Sequence, residues 1–163
     1  MKDASMILVA HASKRGSTEE VATFVAERLR GHGLVADLRP AAQVDDLAAY
    51  DAVVVGGSLY FGRWHGDTIG LLKRHRSDRP LAVFALGPKT AEEHDLADAR
   101  AQLDRALKDV EPATVAVFGG VIDPEKLRFP FNRLSASDAR DWDAIAAWAD
   151  EVAALVARTE AAA

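Results

Sequence analysis

The residues best suited to chemistry lie in a short hydroxyl-rich segment near the N-terminus, Ser13-Lys14-Arg15-Gly16-Ser17-Thr18. An apolar run, Met6–Ala10, precedes this segment, and apolar residues at helical spacing follow it. A strand, a loop and a helix in this order place unpaired helix N–H groups and the positive end of the helix dipole beside the loop. Because hydroxyls add donors and glycine lets the backbone approach an anion, the pattern predicts a phosphate site.

The spacing of glycine in the loop indicates which class of phosphate compound the loop could bind. The loop has neither the G-x-x-x-x-G-K-[ST] pattern of nucleoside triphosphate sites nor the G-x-G-x-x-G pattern of dinucleotide sites. One glycine among hydroxyls suits a terminal phosphate monoester, such as that of flavin mononucleotide (FMN). The loop taken by itself fits a second interpretation equally well, an ordinary turn in which Ser17 or Thr18 caps the helix.

A second candidate segment is the loop that we expect after the third strand, over residues 56–66. It holds aromatic residues between glycines, whereas turning loops are usually polar. An aromatic wall of this kind suits stacking on a flat ring. The alternative is that these side chains cover the core beneath the loop. The aromatic and large apolar residues concerned are Leu59, Tyr60, Phe61 and Trp64.

Composition limits the class of protein. The 163 residues are 49% hydrophobic, which is enough for one domain, residues 1–163, with a full core. The absence of cysteine excludes disulfides, thiolate catalysis and cysteine-ligated metals, and it fits a cytoplasmic protein. No metal site is predicted. The net charge of −5 argues against general nucleic-acid binding, and no apolar run reaches the 18 residues of a transmembrane helix.

Apolar runs alternate with amphipathic stretches along the whole chain. Strands are predicted at Ile7–Ala10, Val35–Leu38, Ala52–Val55, Leu81–Leu86 and Thr114–Phe118. Helices are predicted over residues 17–31, 43–49, 66–76, 91–109 and 139–157. Short continuous apolar strands separated by helices indicate an α/β fold with a doubly wound parallel sheet. The expected strand order is 2-1-3-4-5, with helices on both faces.

In that order, the loops after the first, third and fourth strands meet at one edge of the sheet. The loop after the fourth strand begins Gly87-Pro88-Lys89. Gly87 and Pro88 suit a backbone that approaches the edge of a ring. Lys89 could meet a developing negative charge, although a solvated lysine is the simpler interpretation.

The first loop resembles the flavodoxin signature, and Ala10 and His11 depart from the residues usual there. The matching positions are Ser13, Gly16, Thr18, Ala22 and Val25. Within that superfamily the chain is most similar to the menaquinone-dependent protoporphyrinogen dehydrogenase branch. That similarity rests on three segments: Val55–His65, Phe118-Gly119-Gly120 and Asp141-Trp142-Asp143. The branch carries a long insertion before its last helix, whereas residues 120–142 are compact here.

The resemblance implies a flavodoxin-like fold that binds FMN. The phosphate would be held by Ser13, Lys14, Arg15, Gly16, Ser17 and Thr18. The flavin ring would be contacted by Ser58, Leu59, Tyr60, Phe61, Gly62, Trp64, Gly87 and Pro88. Among these, Tyr60 would stack on the ring and Trp64 would cover its rim. A carbonyl at Gly57 or Gly62 would turn on reduction to accept the new N5–H.

His65 is the best-placed candidate for a catalytic acid or base, since histidine titrates near neutral pH. A surface histidine at a helix start is the alternative. The segment Lys126–Leu134 combines cations with aromatic residues. It could receive a flat acidic substrate or a quinone, or touch an anionic membrane surface. The alternative there is a loop pinned to the core by Phe129 and Phe131.

Three functions remain open at this point. The first is an FMN oxidoreductase of haem biosynthesis, acting on a protoporphyrinogen or linked to a quinone. The second is a flavodoxin-type electron carrier between redox proteins, and the third is a flavin-free interaction module. Cations in the expected flavin loops favour the first function. A homodimer is compatible with each of them.

Overall fold

A parallel sheet forms the centre of the molecule in a computed structural model that describes residues 5–13, 16–60, 63–74, 79–87, 92–126, 128–133 and 136–162. Its strands are β1 (Met6–Ala12), β2 (Val35–Pro40), β3 (Ala52–Tyr60), β4 (Arg63–Trp64), β5 (Leu81–Leu86) and β6 (Thr114–Phe118). The five long strands are parallel and lie in the order β2-β1-β3-β5-β6, and the two-residue β4 pairs antiparallel with the end of β3. The predicted fold class and order 2-1-3-4-5 are confirmed, because the fourth predicted strand is β5.

The two faces of the sheet are covered, within the described ranges, by the helices α1 (Ser17–Gly31), α2 (Gly66–Arg74), α3 (Glu93–Ala106) and α4 (Trp142–Ala162). Successive residues of a strand face opposite sides. Ile7 and Val9 therefore pack against α1 and α4, whereas Leu8 and Ala10 pack on the face of α2 and α3. With helices on both faces, the central strands are apolar along their whole length, as the sequence pattern indicated.

The predicted helix over residues 43–49 is wrong. A single 3-10 turn, Ala41–Gln43, is followed by irregular chain up to β3. A helix here would need the carbonyl of Val44 for the N–H of Ala48. Instead, Arg74 Nη2 donates to the Val44 carbonyl (3.0 Å), and Ala48 N donates to Asp46 Oδ1 (2.9 Å). A side chain that bonds its own nearby backbone in this way competes with helix formation.

The last helix begins later than predicted because the preceding chain forms an arm. The arm, residues 121–138, is closed at its base by the antiparallel strands β7 (Val121–Ile122) and β8 (Ser137–Asp138). The base is tight: Ala139 N donates to Gly120 O (2.9 Å), and a Cβ at Gly119 would lie 2.2 Å from Ala139 O. The side chain of Asp141 then accepts from Ala144 N (3.1 Å) and starts α4 at Trp142.

A polar cluster holds the irregular chain before β3 in place. The Tyr50 hydroxyl donates to Asp37 Oδ2, and Arg39 Nε pairs with the same oxygen at 2.7 Å. The hydrogen bond from Tyr50 and the one from Arg39 hold the pKa of Asp37 below its ordinary value. Because the folded pKa of Asp37 is lowered, its contribution to stability is present above the unfolded pKa and is lost as the pH falls through the folded pKa.

Tyr50→Phe removes the main donor to the Asp37 carboxylate, so we expect the free energy of unfolding at pH 7 to fall by about 1 kcal/mol. The difference from wild type should shrink as the pH falls below about 4, where the carboxylate takes up a proton. Urea unfolding at several pH values measures both effects. In an Asp37→Asn background the same substitution should cost less, and an equal cost there would contradict the assignment.

Candidate functional site

The carboxyl ends of β1, β3 and β5 lie together at one edge of the sheet. Ala12 at the end of β1 is paired with Gly57, and Ser58 is paired with Leu86 at the end of β5. The chain leaves β1 for α1 on one face, and it leaves β3 for α2 on the other face. Such a crevice between neighbouring strands, with helices leaving on opposite faces, is where open α/β sheets bind ligands.

The loop after β1 has the backbone of an anion site. Gly16 adopts the left-handed conformation (φ 88°, ψ −11°), which favours glycine, and its N–H donates to Ser13 Oγ (2.9 Å). The first hydrogen bond of α1 runs from Glu20 N to Gly16 O (3.2 Å), and no side chain of the described residues caps the helix. The alternative in which Ser17 or Thr18 is the cap is therefore wrong, since Gly16 occupies that position.

Thr18 lies in the first turn of α1 and is completely buried. Its Oγ1 makes no hydrogen bond to any described residue, as is also the case for the buried hydroxyls of Ser5 and Ser137. A buried hydroxyl without a partner costs about 1–3 kcal/mol, and native proteins rarely retain one without a reason. An anion at the start of α1 would accept the bond that this hydroxyl lacks. The loop therefore fits a phosphate group.

His11 lies at the end of β1, beneath this loop, and is buried. Burial lowers its pKa below the ordinary value, and the nearby charge of Glu19 opposes part of that shift. The imidazole is therefore neutral at pH 7 and adds no positive charge to the phosphate loop.

The segment after Val55 is a strand and not the expected loop, because β3 continues to Tyr60. The Gly57 carbonyl accepts a hydrogen bond from Trp64 Nε1 (3.2 Å), and a Cβ at Gly57 would lie 2.7 Å from Thr68 Cγ2. Close packing, and not backbone rotation, requires glycine there. The Gly57 carbonyl would have to give up this hydrogen bond in order to turn on reduction, and the turn stays a prediction.

Trp64 is 3% exposed and belongs to the core on the α2 and α3 face. The expectation that it covers the rim of a flavin is therefore wrong. An aromatic residue in a hairpin can face either the core or a ligand, and the sequence pattern does not separate the two. The pairing of Leu59 with Trp64 across the hairpin turns the indole inward.

Leu59 and Gly87 lie next to each other on the same face of the sheet. A Cβ at Gly87 would lie 3.3 Å from Leu59 Cδ1 and 3.2 Å from Ala99 Cβ, so a glycine lets β5 approach α3 closely. The Gly87 N–H donates to Phe118 O (3.0 Å). Ser58 is half-buried, and its carbonyl accepts from His65 N (3.1 Å). Flavin contacts by Ser58, Leu59 and Gly87 stay predictions.

His65 stands at the start of α2 and caps it. Its Nδ1 accepts from Asp67 N (3.2 Å), and its carbonyl accepts from Thr68 N (3.1 Å). Protonation of Nδ1 would remove the cap. This arrangement gives the ring a structural role, and the catalytic role of His65 stays a hypothesis.

Several predicted site residues lie outside the described residues, namely Lys14, Arg15, Phe61, Gly62, Pro88 and Lys89. Tyr60 ends β3 and pairs through its backbone with Arg63, and its stacking on a ring stays a prediction. Ser17 opens α1 at the phosphate loop, as predicted from the sequence.

The arm carries an exposed aromatic residue that sequence reasoning placed differently. Phe129 is 70% exposed, so it does not pin the segment to the core. The guanidinium of Arg133 lies 5.1 Å from the centre of its ring, and Arg128 is exposed beside it. Aromatic residues stabilise a cation over their face at such distances. Around Phe129 the arm therefore presents a cationic and aromatic surface.

Arg140, at the base of the arm, was missed by the sequence analysis. Its guanidinium binds Asp138 and also Glu20, in the first turn of α1. The close Asp138-x-Arg140 spacing is a local signal for the first pair. Glu20 lies 120 residues away in the chain, and nothing local identifies it as a partner.

A parallel sheet of this order, with helices on both faces, defines a flavodoxin-type fold. The sequence model of the Flavodoxin domain family matches residues 8–134, and the chain belongs to that family. FMN, the expected cofactor, is the flavin that this family binds.

Solved structures share the fold. A flavodoxin of Streptococcus pneumonia TIGR4 is 21% identical, with a TM-score of 0.60, over 92% of this chain and 99% of that one. Rubredoxin oxygen:oxidoreductase of Desulfovibrio gigas is 14% identical, with a TM-score of 0.66, over 97% of this chain and 37% of that one. These structural similarities support the assignment of the fold.

One curated relative gives a more specific comparison. Protoporphyrinogen IX dehydrogenase [quinone] of Escherichia coli (strain K12) is 26% identical over 84 residues, which is 48% of this chain and 46% of the relative. The match thus spans about half the length of that protein.

Thr18→Val tests whether the buried hydroxyl is unpaired. Because valine has the same shape and no polar atom, we expect the flavin-free protein to gain about 1 kcal/mol in free energy of unfolding. Thr18→Ser, which keeps the hydroxyl and removes a methyl group, should lose stability. Urea unfolding without added flavin measures both variants, and a destabilised valine variant would show that the hydroxyl is bonded.

Proposed function

We propose that this chain binds FMN at the edge formed by β1, β3 and β5 and transfers electrons between redox partners. The observation that carries the proposal is the buried, unpartnered hydroxyl of Thr18 at the uncapped start of α1. Membership of the Flavodoxin domain family supports it. We propose that residues 1–163 act as one FMN-binding domain.

The phosphate would be held by groups that the loop leaves available. The N–H groups of Ser17 and Thr18 precede the first helical hydrogen bond of α1. Ser13 Oγ accepts from Gly16 N, which leaves its hydroxyl proton free to donate. Together with the Thr18 hydroxyl, these donors suit a phosphate dianion. Lys14 and Arg15 would add positive charge.

FMN, when bound, supplies the one- and two-electron chemistry, and the protein positions and tunes it. The backbone at Ser58, Leu59 and Tyr60 would meet the edge of the ring, with Tyr60 stacked on its face. The Gly87 end of β5 would close the other side, next to Pro88. Ser58 pairs with Leu86, next to Gly87, at the sheet edge where β1 also ends.

A second, finer function is the oxidation of a protoporphyrinogen with a quinone as acceptor. The similarity to the Escherichia coli enzyme favours it, and so does the cationic and aromatic surface at Phe129 and Arg133. A flat substrate with carboxylates would complement that surface. An electron carrier would present the same site to redox proteins. The partner is therefore a quinone, a porphyrinogen or a redox protein.

In the described ranges, no helix has the length and apolar character needed to cross a membrane. Peripheral contact of the arm with a membrane surface remains part of the finer proposal. The cytoplasmic location expected from the absence of cysteine stays a prediction, as does a homodimer.

The direct test is flavin binding by the purified protein, followed by titration of its flavin-free form with FMN. We expect a yellow protein with one flavin, because the start of α1 offers donors for one phosphate. Thr18→Val should weaken FMN binding by about tenfold through loss of one hydrogen bond to a charged group, whereas Thr18→Ser should stay close to wild type. Failure of wild type to bind FMN would leave the flavin-free interaction module.

With FMN bound, turnover separates the two redox functions. Oxidation of protoporphyrinogen coupled to reduction of menadione, above the rate without protein, would support the enzyme. Electron transfer to redox proteins without such turnover would support the carrier.

A further inference from the structure

Arg140 joins the base of the arm to the first turn of α1. Its guanidinium donates to Asp138 through Nε (3.0 Å) and Nη2 (2.8 Å), and through Nη1 to Glu20 Oε2 (3.1 Å). The arginine side chain is only 9% exposed, whereas that of Glu20 is 61% exposed. The guanidinium also lies over the ring of Trp142, 4.9 Å from its centre. Arg140 is therefore held firmly, and the Glu20 carboxylate comes to it from the solvent side.

Glu20 stands close to the proposed phosphate position. It lies four residues after Gly16, which corresponds to about 6 Å along the helix axis. A carboxylate in the first turn stabilises the helix dipole, but it also repels an anion bound at the same end. The cluster of Glu20, Asp138 and Arg140 has a net charge of −1, and without the arginine it would be −2.

Stability does not account for the contact with Glu20. The Glu20 carboxylate is 61% exposed, so its pair with Arg140 contributes about 0–1 kcal/mol, and Asp138 already accepts from two of the five guanidinium N–H donors. The stacking on Trp142, which packs edge-on against Phe24 of α1 at 5.2 Å, also holds the arm base in place without Glu20. The additional bond neutralises a carboxylate beside the start of α1.

We propose that Arg140 is a positioning residue that makes the site selective for the phosphorylated flavin, because it holds and neutralises the Glu20 carboxylate beside the phosphate. This inference rests on the proposed FMN site. It predicts that Arg140 affects binding of FMN and not of riboflavin, which has the same ring and no phosphate.

The test compares dissociation constants for FMN and riboflavin, measured by quenching of flavin fluorescence at low and high salt. Arg140→Gln removes the charge and keeps a hydrogen-bonding side chain. A unit charge about 10 Å from a dianion in water-like surroundings changes the dissociation constant by about fourfold. We expect FMN to bind about fourfold more weakly at low salt, with riboflavin unchanged. The difference should nearly vanish at about 0.5 M salt, where the Debye length is a few ångströms.

Glu20→Gln provides an independent test on an exposed residue whose substitution leaves folding intact. With Arg140 unchanged, removal of this carboxylate should tighten FMN binding by a similar factor, again without effect on riboflavin. In the Glu20→Gln background, Arg140→Gln should weaken FMN binding by less than it does in the wild-type background, because no carboxylate is then left for Arg140 to hold. An equal loss in both backgrounds would show that Arg140 acts only through its own charge and would overturn this role.

Arg28→Gln is the matched control. Arg28 lies on the last turns of α1 and also pairs with a carboxylate. Its Nε and Nη2 each lie 2.9 Å from an oxygen of Asp150. At about 18 Å from Gly16 along the axis it should leave FMN affinity unchanged. Equal loss of FMN and riboflavin in Arg140→Gln, or no change for FMN in Glu20→Gln, would overturn the role of Arg140. A wild-type protein that binds FMN no better than riboflavin would instead overturn the proposed phosphate site.

Discussion

The pairing of β1 with β3 determines where the other parts of the molecule lie. The two strands run side by side from Ile7 and Ala52 to Ala12 and Gly57. In the chain, 39 residues separate the end of β1 at Ala12 from the start of β3 at Ala52. The helix after β1 packs on one face and the helix after β3 packs on the other, which opens a crevice between their carboxyl ends. Next to this pair, Gly56 of β3 leaves room for the ring of Phe84 on β5, which fills the space of the missing side chain. The site follows from this arrangement.

The fold was accessible from the sequence because its signal is repeated. Five apolar runs separated by helical segments indicate a buried parallel sheet, and each of them became a strand. The sequence did not reveal which side chains compete for backbone hydrogen bonds, nor which contacts form between residues far apart in the chain. The failed helix depends on Arg74, which takes the Val44 carbonyl from 30 residues away. Glycine at position 57 is required by packing against Thr68, and sequence does not distinguish that requirement from one for backbone motion.

In the candidate site, too, some features could be predicted from the sequence and others could not. The left-handed Gly16 and the helix start at Ser17 agree with the loop and helix expected from residue type and order, since the geometry of a helix start is local. Trp64 was assigned to the ligand but lies in the core, because an aromatic residue serves either environment. The loop also shows why sites of this kind are costly to maintain. Thr18 is buried with a hydroxyl that has no partner among the described residues, and under the proposed function a bound anion would relieve the cost of this to the flavin-free protein.

The closed base of the arm has an evolutionary consequence. The chain leaves the sheet at Gly119 and returns at Ala139, where the two backbones touch and Ala139 N bonds Gly120 O. Entry and exit coincide, so residues can be added or removed beyond β7 and β8 without moving any strand of the sheet. The arm is therefore a segment whose length and sequence can differ between proteins of this fold, and with them the binding partner, while the loop after β1 stays unchanged.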